Sequence, residues 1–380
     1  MKSLIFYSLL TMAKTNNNAL KAFTANKTTK GIAVKKKRTA GKKQDGETPK
    51  QARPYFVVCV GASAGGLSAI REFIAQVPAD LNAAVFIVWH LSRTALGDVF
   101  TERIRKDAKM LCKQPEDNET IRSGTTYLAI PDAHLLIKKD TILIGRGPAE
   151  NRFRPSIDVL FRSAAASYGD RVIGVVLTGL LNDGTAGMMT IRESGGHCLV
   201  QDPNEAEYPG MPLSVLQTME VDHVLPLKKM GEAIENIVKN VPLKGTQAPS
   251  KVVAESRISE KVATSIDKVA QLGEKSLFSC PDCGGALWKI NNGHVAHYRC
   301  HIGHSYSEED LGVKQYEGIE HTLWVAVRMM EERKINFRKL EKEARDKGLE
   351  RLANTYAKHD SQLEDHIEQL KELLFDLQKD

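Results

Sequence analysis

Between residues 55 and 240, short apolar runs that lack polar alternation recur, each followed by a stretch of helical period. The runs are YFVVCV (55–60), AAVFIV (83–88), TTYLAI (125–130), RVIGVVL (171–177) and HCLV (197–200). A strand with one wet face alternates; a strand without alternation is covered on both faces. Amphipathic stretches near 66–76, 96–109, 156–168, 184–194 and 228–240 supply that cover. The pattern predicts an α/β domain with a doubly wound, mostly parallel sheet and helices on both faces. AHLLIKKDTILIG (133–145) breaks the rhythm with two apolar runs around Lys138-Lys139-Asp140, a β-hairpin insertion.

The flanks differ in composition. Residues 1–54 hold 13 Lys or Arg against Asp45 and Glu47, a balance of +11 in a chain of net charge +6, so the remainder carries −5. With almost no apolar pattern the arm cannot offset the entropy of ordering itself, and we expect a disordered basic segment. Residues 55–242 form the α/β domain and 243–272 read as a polar linker with one loose helix. Residues 273–308 form a small cysteine-containing module, and 309–380 a long helical hairpin. In that hairpin Tyr316, Ile319, Leu323, Val327, Met330, Phe337 and Leu340 make one stripe. Leu349, Leu352, Tyr356, Leu363, Ile367, Leu370, Leu374 and Leu377 make the other. No run approaches the roughly 18 apolar residues of a membrane span.

Chemistry is signalled by VGASAGGLSAI (60–70), which follows the first strand. As a dinucleotide loop it fits poorly. Ser63 stands where the middle glycine would admit pyrophosphate, and Trp89-His90 stand where a ribose-binding acid belongs. As Gly61-x-Ser63-x-Gly65 it is a strand-to-helix elbow that exposes a hydroxyl. A serine needs a base and a carboxylate to orient that base. His90 ends the second strand and Asp183 follows VIGVVL, so parallel strands would deliver all three to one sheet edge. The chain order Ser, His, Asp separates this from α/β-hydrolases, in which the acid precedes the histidine.

GASAGG, WHLS after a strand, NRFRPSIDVLF (151–161), VVLTGLLNDGTAGM (176–188) and PGMP (209–212) occur in the order and spacing of the chemotaxis CheB methylesterase catalytic domain, which residues 55–242 resemble. The resemblance implies a cytoplasmic serine hydrolase of signal transduction that removes methyl groups from glutamate γ-methyl esters on chemoreceptor helices, with glutamine deamidation as a second activity. It assigns Ser63 as nucleophile, His90 as base, Asp183 as its orienting carboxylate, and the backbone N–H groups of Ala64 and Leu180 as oxyanion donors. The chain departs from the family where Ala64 replaces a common hydroxyl residue and Leu180-Leu181 replaces Met-Gly. Residues 1–54 are too short and polar for a receiver domain, so regulation by phospho-aspartate in cis is expected to be absent. A CheB-like scaffold without turnover, binding helical signalling partners, is the alternative.

Cys59, Cys112 and Cys198 lie in or beside apolar runs and read as buried thiols. Cys280 and Cys283 form a Cys-x2-Cys knuckle, and Cys300 and His304 close the set at a spacing suited to a structural zinc ion; His301 competes for the fourth position. His294 and His297 are expected on the surface. The module suits protein contacts, with nucleic acid not favoured. No cofactor is expected for catalysis.

Overall fold

The structure is a computed structural model; it describes residues 56–92, 94–261, 265–292 and 295–377, so the basic arm lies outside the described residues. Nine strands form the α/β part: β1 (Phe56–Ala62), β2 (Ala83–Trp89), β3 (Leu111–Lys113), β4 (Thr125–Leu128), β5 (His134–Lys138), β6 (Thr141–Gly145), β7 (Val172–Val176), β8 (His197–Gln201) and β9 (His223–Leu225). Seven of them make one sheet in the order β3-β4-β2-β1-β7-β8-β9, every adjacent pair parallel. β5 and β6 pair antiparallel as the expected hairpin.

Helices α1 (Gly66–Gln76), α2 (Gly97–Arg105), α3 (Ile157–Tyr168), α4 (Thr185–Glu193), α5 (Gly210–Thr218) and α6 (Met230–Asn240) connect them. All seven residues of β1 are buried, and they serve two cores. Phe56, Val58, Val60 and Ala62 pack with Ile70, Phe73, Ile74 and Ile234 on one face, Val57 and Cys59 with Leu160, Phe161 and Met188 on the other. This double burial is why these strands carry no alternation.

The chain winds outward from β1 to β3, then returns to place β7 on the other side of β1. The crevice at such a reversal, beyond the carboxyl ends of the strands, is where open α/β sheets build sites. Register aligns those ends, with Ala62 opposite Trp89 and Gly61 opposite both Val88 and Val176. α5 went unforeseen because its first turn holds Gly210 and Pro212, which read as a turn although proline is tolerated there.

The stretch read as a linker is largely helical. It carries α7 (Ser250–Ser259) and α8 (Ile266–Ala270), and Ile258, Val269 and Leu272 are buried against Trp288 and Ile290. Their partners lie some way along the chain, so no local period reveals them. β10 (Glu274–Ser279), β11 (Ala286–Asn292), β12 (Val295–Cys300) and β13 (Ser305–Ser307) follow as an antiparallel ribbon. The helices α9 (Glu308–Asp346) and α10 (Glu350–Leu377) then pair as a hairpin around Val327, Ile367 and Leu374. Ile319, Leu349 and Leu352 of the expected stripes stay exposed. Among the described residues no helix is long and apolar enough to cross a membrane.

Candidate active site

Ser63 leaves β1 in a loop pinned from both neighbouring strands. Its N–H donates to Thr178 O at 3.0 Å, and its carbonyl accepts from Trp89 Nε1 at 2.9 Å. Gly65 starts the turn into α1 at φ 71, a left-handed conformation that costs glycine little. Opposite the serine, a Cβ on Gly179 would lie 2.8 Å from Ser63 Cβ and 2.1 Å from Met211 Sδ, so the loop after β7 approaches closely only because residue 179 lacks a side chain.

His90 follows β2, its N–H bonded to Ala62 O at 3.1 Å. Its Nδ1 stands 3.2 Å from Ser63 Oγ and its Nε2 2.8 Å from Asp183 Oδ2. The nitrogens are used in the reverse sense to the trypsin-like triad, in which Nε2 faces the serine. A carboxylate at Nε2 favours the tautomer with the proton there, leaving Nδ1 free to accept from the hydroxyl. Phe153 stacks on the ring, with centroids 3.6 Å apart and planes inclined by 7°.

Asp183 is buried at the N-terminus of α3. Its Oδ1 accepts from Asn151 Nδ2 (2.9 Å), Ser156 Oγ (3.0 Å) and Asp158 N–H (3.3 Å), and its Oδ2 from Ile157 N–H (2.7 Å). The positive end of a helix and its unpaired N–H groups suit an anion. Burial alone would raise this carboxyl, but bonds from His90, Asn151 and Ile157 and the His90 charge outweigh it and hold it below the ordinary range. Asp158 takes the opposite course: burial, then the charge of Asp183, push it up to about 8, against bonds from Gly187 N–H and Asn151.

The N–H groups of Ala64 and Leu180 have no hydrogen-bond acceptor among the described residues. Leu181, where the family often has glycine, sits at φ 65, so the loop keeps a glycine-like turn with a side chain in it. Sequence reading missed Asn151, Phe153 and Ser156. All lie in NRFRPSIDVLF, a block noted without roles for its residues. A cavity of about 270 Å³ lies nearby, lined by Asn151, Asp158, Asn182, His297 and Glu309, but it does not reach Ser63.

The ligand atoms of Cys280, Cys283, Cys300 and His304 all lie within 4.8 Å of one another, whereas His301 does not join them. Hydrogen bonding from Cys300 pulls the Cys280 thiol down from its ordinary value despite burial, with His304 and Tyr306 assisting. Such a set can bind a metal ion. The expectation for His297 is corrected: it is buried, its Nε2 2.8 Å from Glu255 Oε1, because α7 covers it. His294 lies outside the described residues. Cys59, Cys112 and Cys198 are buried, and burial raises each thiol, to about 11 for Cys112 and about 12 for Cys198.

The profile of the CheB methylesterase family matches residues 58–234. A Leptospira interrogans protein, provisionally named protein-glutamate methylesterase/protein-glutamine glutaminase, is 39% identical over 187 residues, 49% of this chain and 96% of the relative. The Maricaulis maris protein-glutamate methylesterase/protein-glutamine glutaminase is 34% identical over 191 residues, 49% of this chain and 47% of the relative. The crystal structure of the Thermotoga maritima CheB methylesterase catalytic domain matches at 28% identity and a TM-score of 0.47, covering 48% of this chain and 98% of that one.

Proposed function

Because this chain belongs to the CheB methylesterase family, we propose that it is a protein-glutamate methylesterase in which Ser63, His90 and Asp183 act as a triad on methylated chemoreceptor helices. The observation that carries the reading is the unbroken path from Ser63 Oγ through His90 to a buried, helix-capped carboxylate.

His90 Nδ1 takes the Ser63 proton as Oγ adds to the γ-ester carbonyl. The N–H groups of Ala64 and Leu180 face the oxygen that becomes negative. Collapse passes the proton from His90 to the methoxy oxygen, and methanol leaves. Water, deprotonated by His90, then attacks the acyl-enzyme; glutamate departs and Ser63 regains its proton. A glutamine side chain follows the same course with ammonia as the leaving group. Throughout, Asp183 fixes the ring and balances the imidazolium charge, and the Phe153 face lies over that cation.

The ribbon reads as a structural zinc module, held by Cys280, Cys283, Cys300 and His304 with no open position. The α/β part up to about residue 242 is the catalytic domain in this reading. The enzyme works in the cytoplasm, where α9 and α10 offer a surface to other chemosensory proteins.

Methanol released from methylated receptor membranes tests the proposal. The wild-type chain releases it and Ser63→Ala does not; equal release by both would overturn it.

A further inference from the structure

We infer that the metal-binding ribbon is part of the catalytic apparatus: through Arg299 and Ser305, each the chain neighbour of a metal ligand, it holds the 150–154 loop that sets Asn151 on Asp183 and Phe153 on His90. The inference rests on the triad reading above and adds a control to it.

The loop does not hold itself. Asn151 and Arg152 lie at φ 50 and φ 69, two successive non-glycine residues in the left-handed region, a conformation that persists only where the surroundings impose it. The ribbon imposes it here. Arg299 grips buried Glu150 with both terminal nitrogens, at 3.0 and 2.5 Å, and the Ser305 carbonyl accepts from Asn151 N–H at 2.8 Å. In the third turn of α9, Glu317 pairs with Arg152 at 3.0 Å. A second clasp reaches the loop that bears Asp183: Asn182 Nδ2 donates to Ser307 Oγ at 3.1 Å and to Glu309 Oε2 at 2.8 Å.

The grip depends on the metal group by position. Arg299 precedes Cys300 and Ser305 follows His304, so the turn that carries two ligands also carries both contacts. The ribbon's core is small, with Cys280, Leu287, Tyr298, Cys300, Tyr306 and Leu311, and two of these are themselves ligands. A module of that size has too little apolar burial to fix its turn without the ion. Asn151 and Phe153 are accordingly positioning residues whose placement is set by the ribbon, and Arg299 is the link.

The full chain tests this by the rate at which a fluorophosphonate ester labels Ser63, read by intact mass, beside the downfield proton resonance shared by His90 and Asp183. With Zn2+ bound, labelling is fast and the resonance present. Chelation should slow labelling at least tenfold and remove the resonance, and added Zn2+ should restore both. Arg299→Met should do the same while still holding one Zn2+ per chain, and Arg299→Lys should recover part of the rate. Unchanged or faster labelling in both the metal-free protein and Arg299→Met overturns the inference; faster labelling would make the ribbon a cover. If Ser63 is never labelled in the zinc-loaded wild type, the nucleophile reading fails. The resonance then decides the coupling alone: loss on chelation supports it and persistence overturns it.

Discussion

Asp183→Asn separates the two duties of that carboxylate. Its two oxygens accept five hydrogen bonds, from His90, Asn151, Ser156, Ile157 and Asp158. An amide supplies one oxygen only. If the NH2 replaces Oδ1 it meets three donors, Asn151 Nδ2, Ser156 Oγ and Asp158 N–H; the serine can rotate away, so two conflicts remain. If it replaces Oδ2 it meets Ile157 N–H and His90 Nε2, and the imidazole can change tautomer, so one conflict remains. Each buried unsatisfied donor costs about 1–3 kcal/mol, which makes the second orientation the stable one. In it His90 Nε2 accepts from the amide and Nδ1 carries the proton toward Ser63, which loses its base. The expected fall in kcat is about 10⁴-fold, the loss found when a triad is held in the wrong tautomer. Stability should fall by only about 1–3 kcal/mol for the orphaned Ile157 N–H. Methanol release at saturating methylated receptor gives the rate, urea unfolding of the same sample gives the stability, and long-range 15N–1H spectra report which ring nitrogen is protonated. A folded variant within tenfold of wild-type activity would refute the reasoning and reduce Asp183 to a helix cap.

Gly179→Ala places a methyl group against Ser63 Cβ and Met211 Sδ; methanol release should drop at least tenfold with the fold retained, and an unaffected rate would show that the loop can retreat. Asp158, raised from 3.8 to about 8, keeps in the folded state a proton that the unfolded chain releases above about pH 4. Its contribution therefore falls as pH rises from about 4 to about 8, and between pH 5 and 8 the urea midpoint of wild type should decline relative to Asp158→Asn at equal zinc. Parallel curves would show that Asp158 ionises normally.

The convergence of Ser63, His90 and Asp183 was legible because each owes its place to a strand end. Ser63, His90 and Asp183 follow β1, β2 and β7, and parallel strands in register must deliver such residues to one rim. The clustering of Cys280, Cys283, Cys300 and His304 was legible because thiolate and imidazole carry their chemistry in the residue type. What could not be read were residues whose roles come from a partner. Asn151 is an ordinary loop residue until the αL conformation at φ 50 turns its amide to Asp183. Phe153 is an apolar ring whose residue type names no role, and it stacks on His90. His297 was expected on the surface and lies buried under Glu255 of α7.

Glu150 shows most clearly what sequence withholds. In a loop reading GPAENRF it should stay in water, because burying a lone carboxylate is heavily penalised. It is nevertheless buried, held below the ordinary carboxyl range against that burial by Arg162 and Arg299. Its partners come from three elements, Arg162 on α3, Ser259 on α7 and Arg299 on β12, and the last is 149 residues away along the chain. Removing either arginine would strand charge in the interior, which typically costs about 3–5 kcal/mol. A pattern of that kind is tolerable only if the ribbon and α7 are in place whenever the 150–154 loop is. The buried network is thus the physical reason to expect the α/β part and the ribbon to unfold together, with the 150–154 loop at the joint between them.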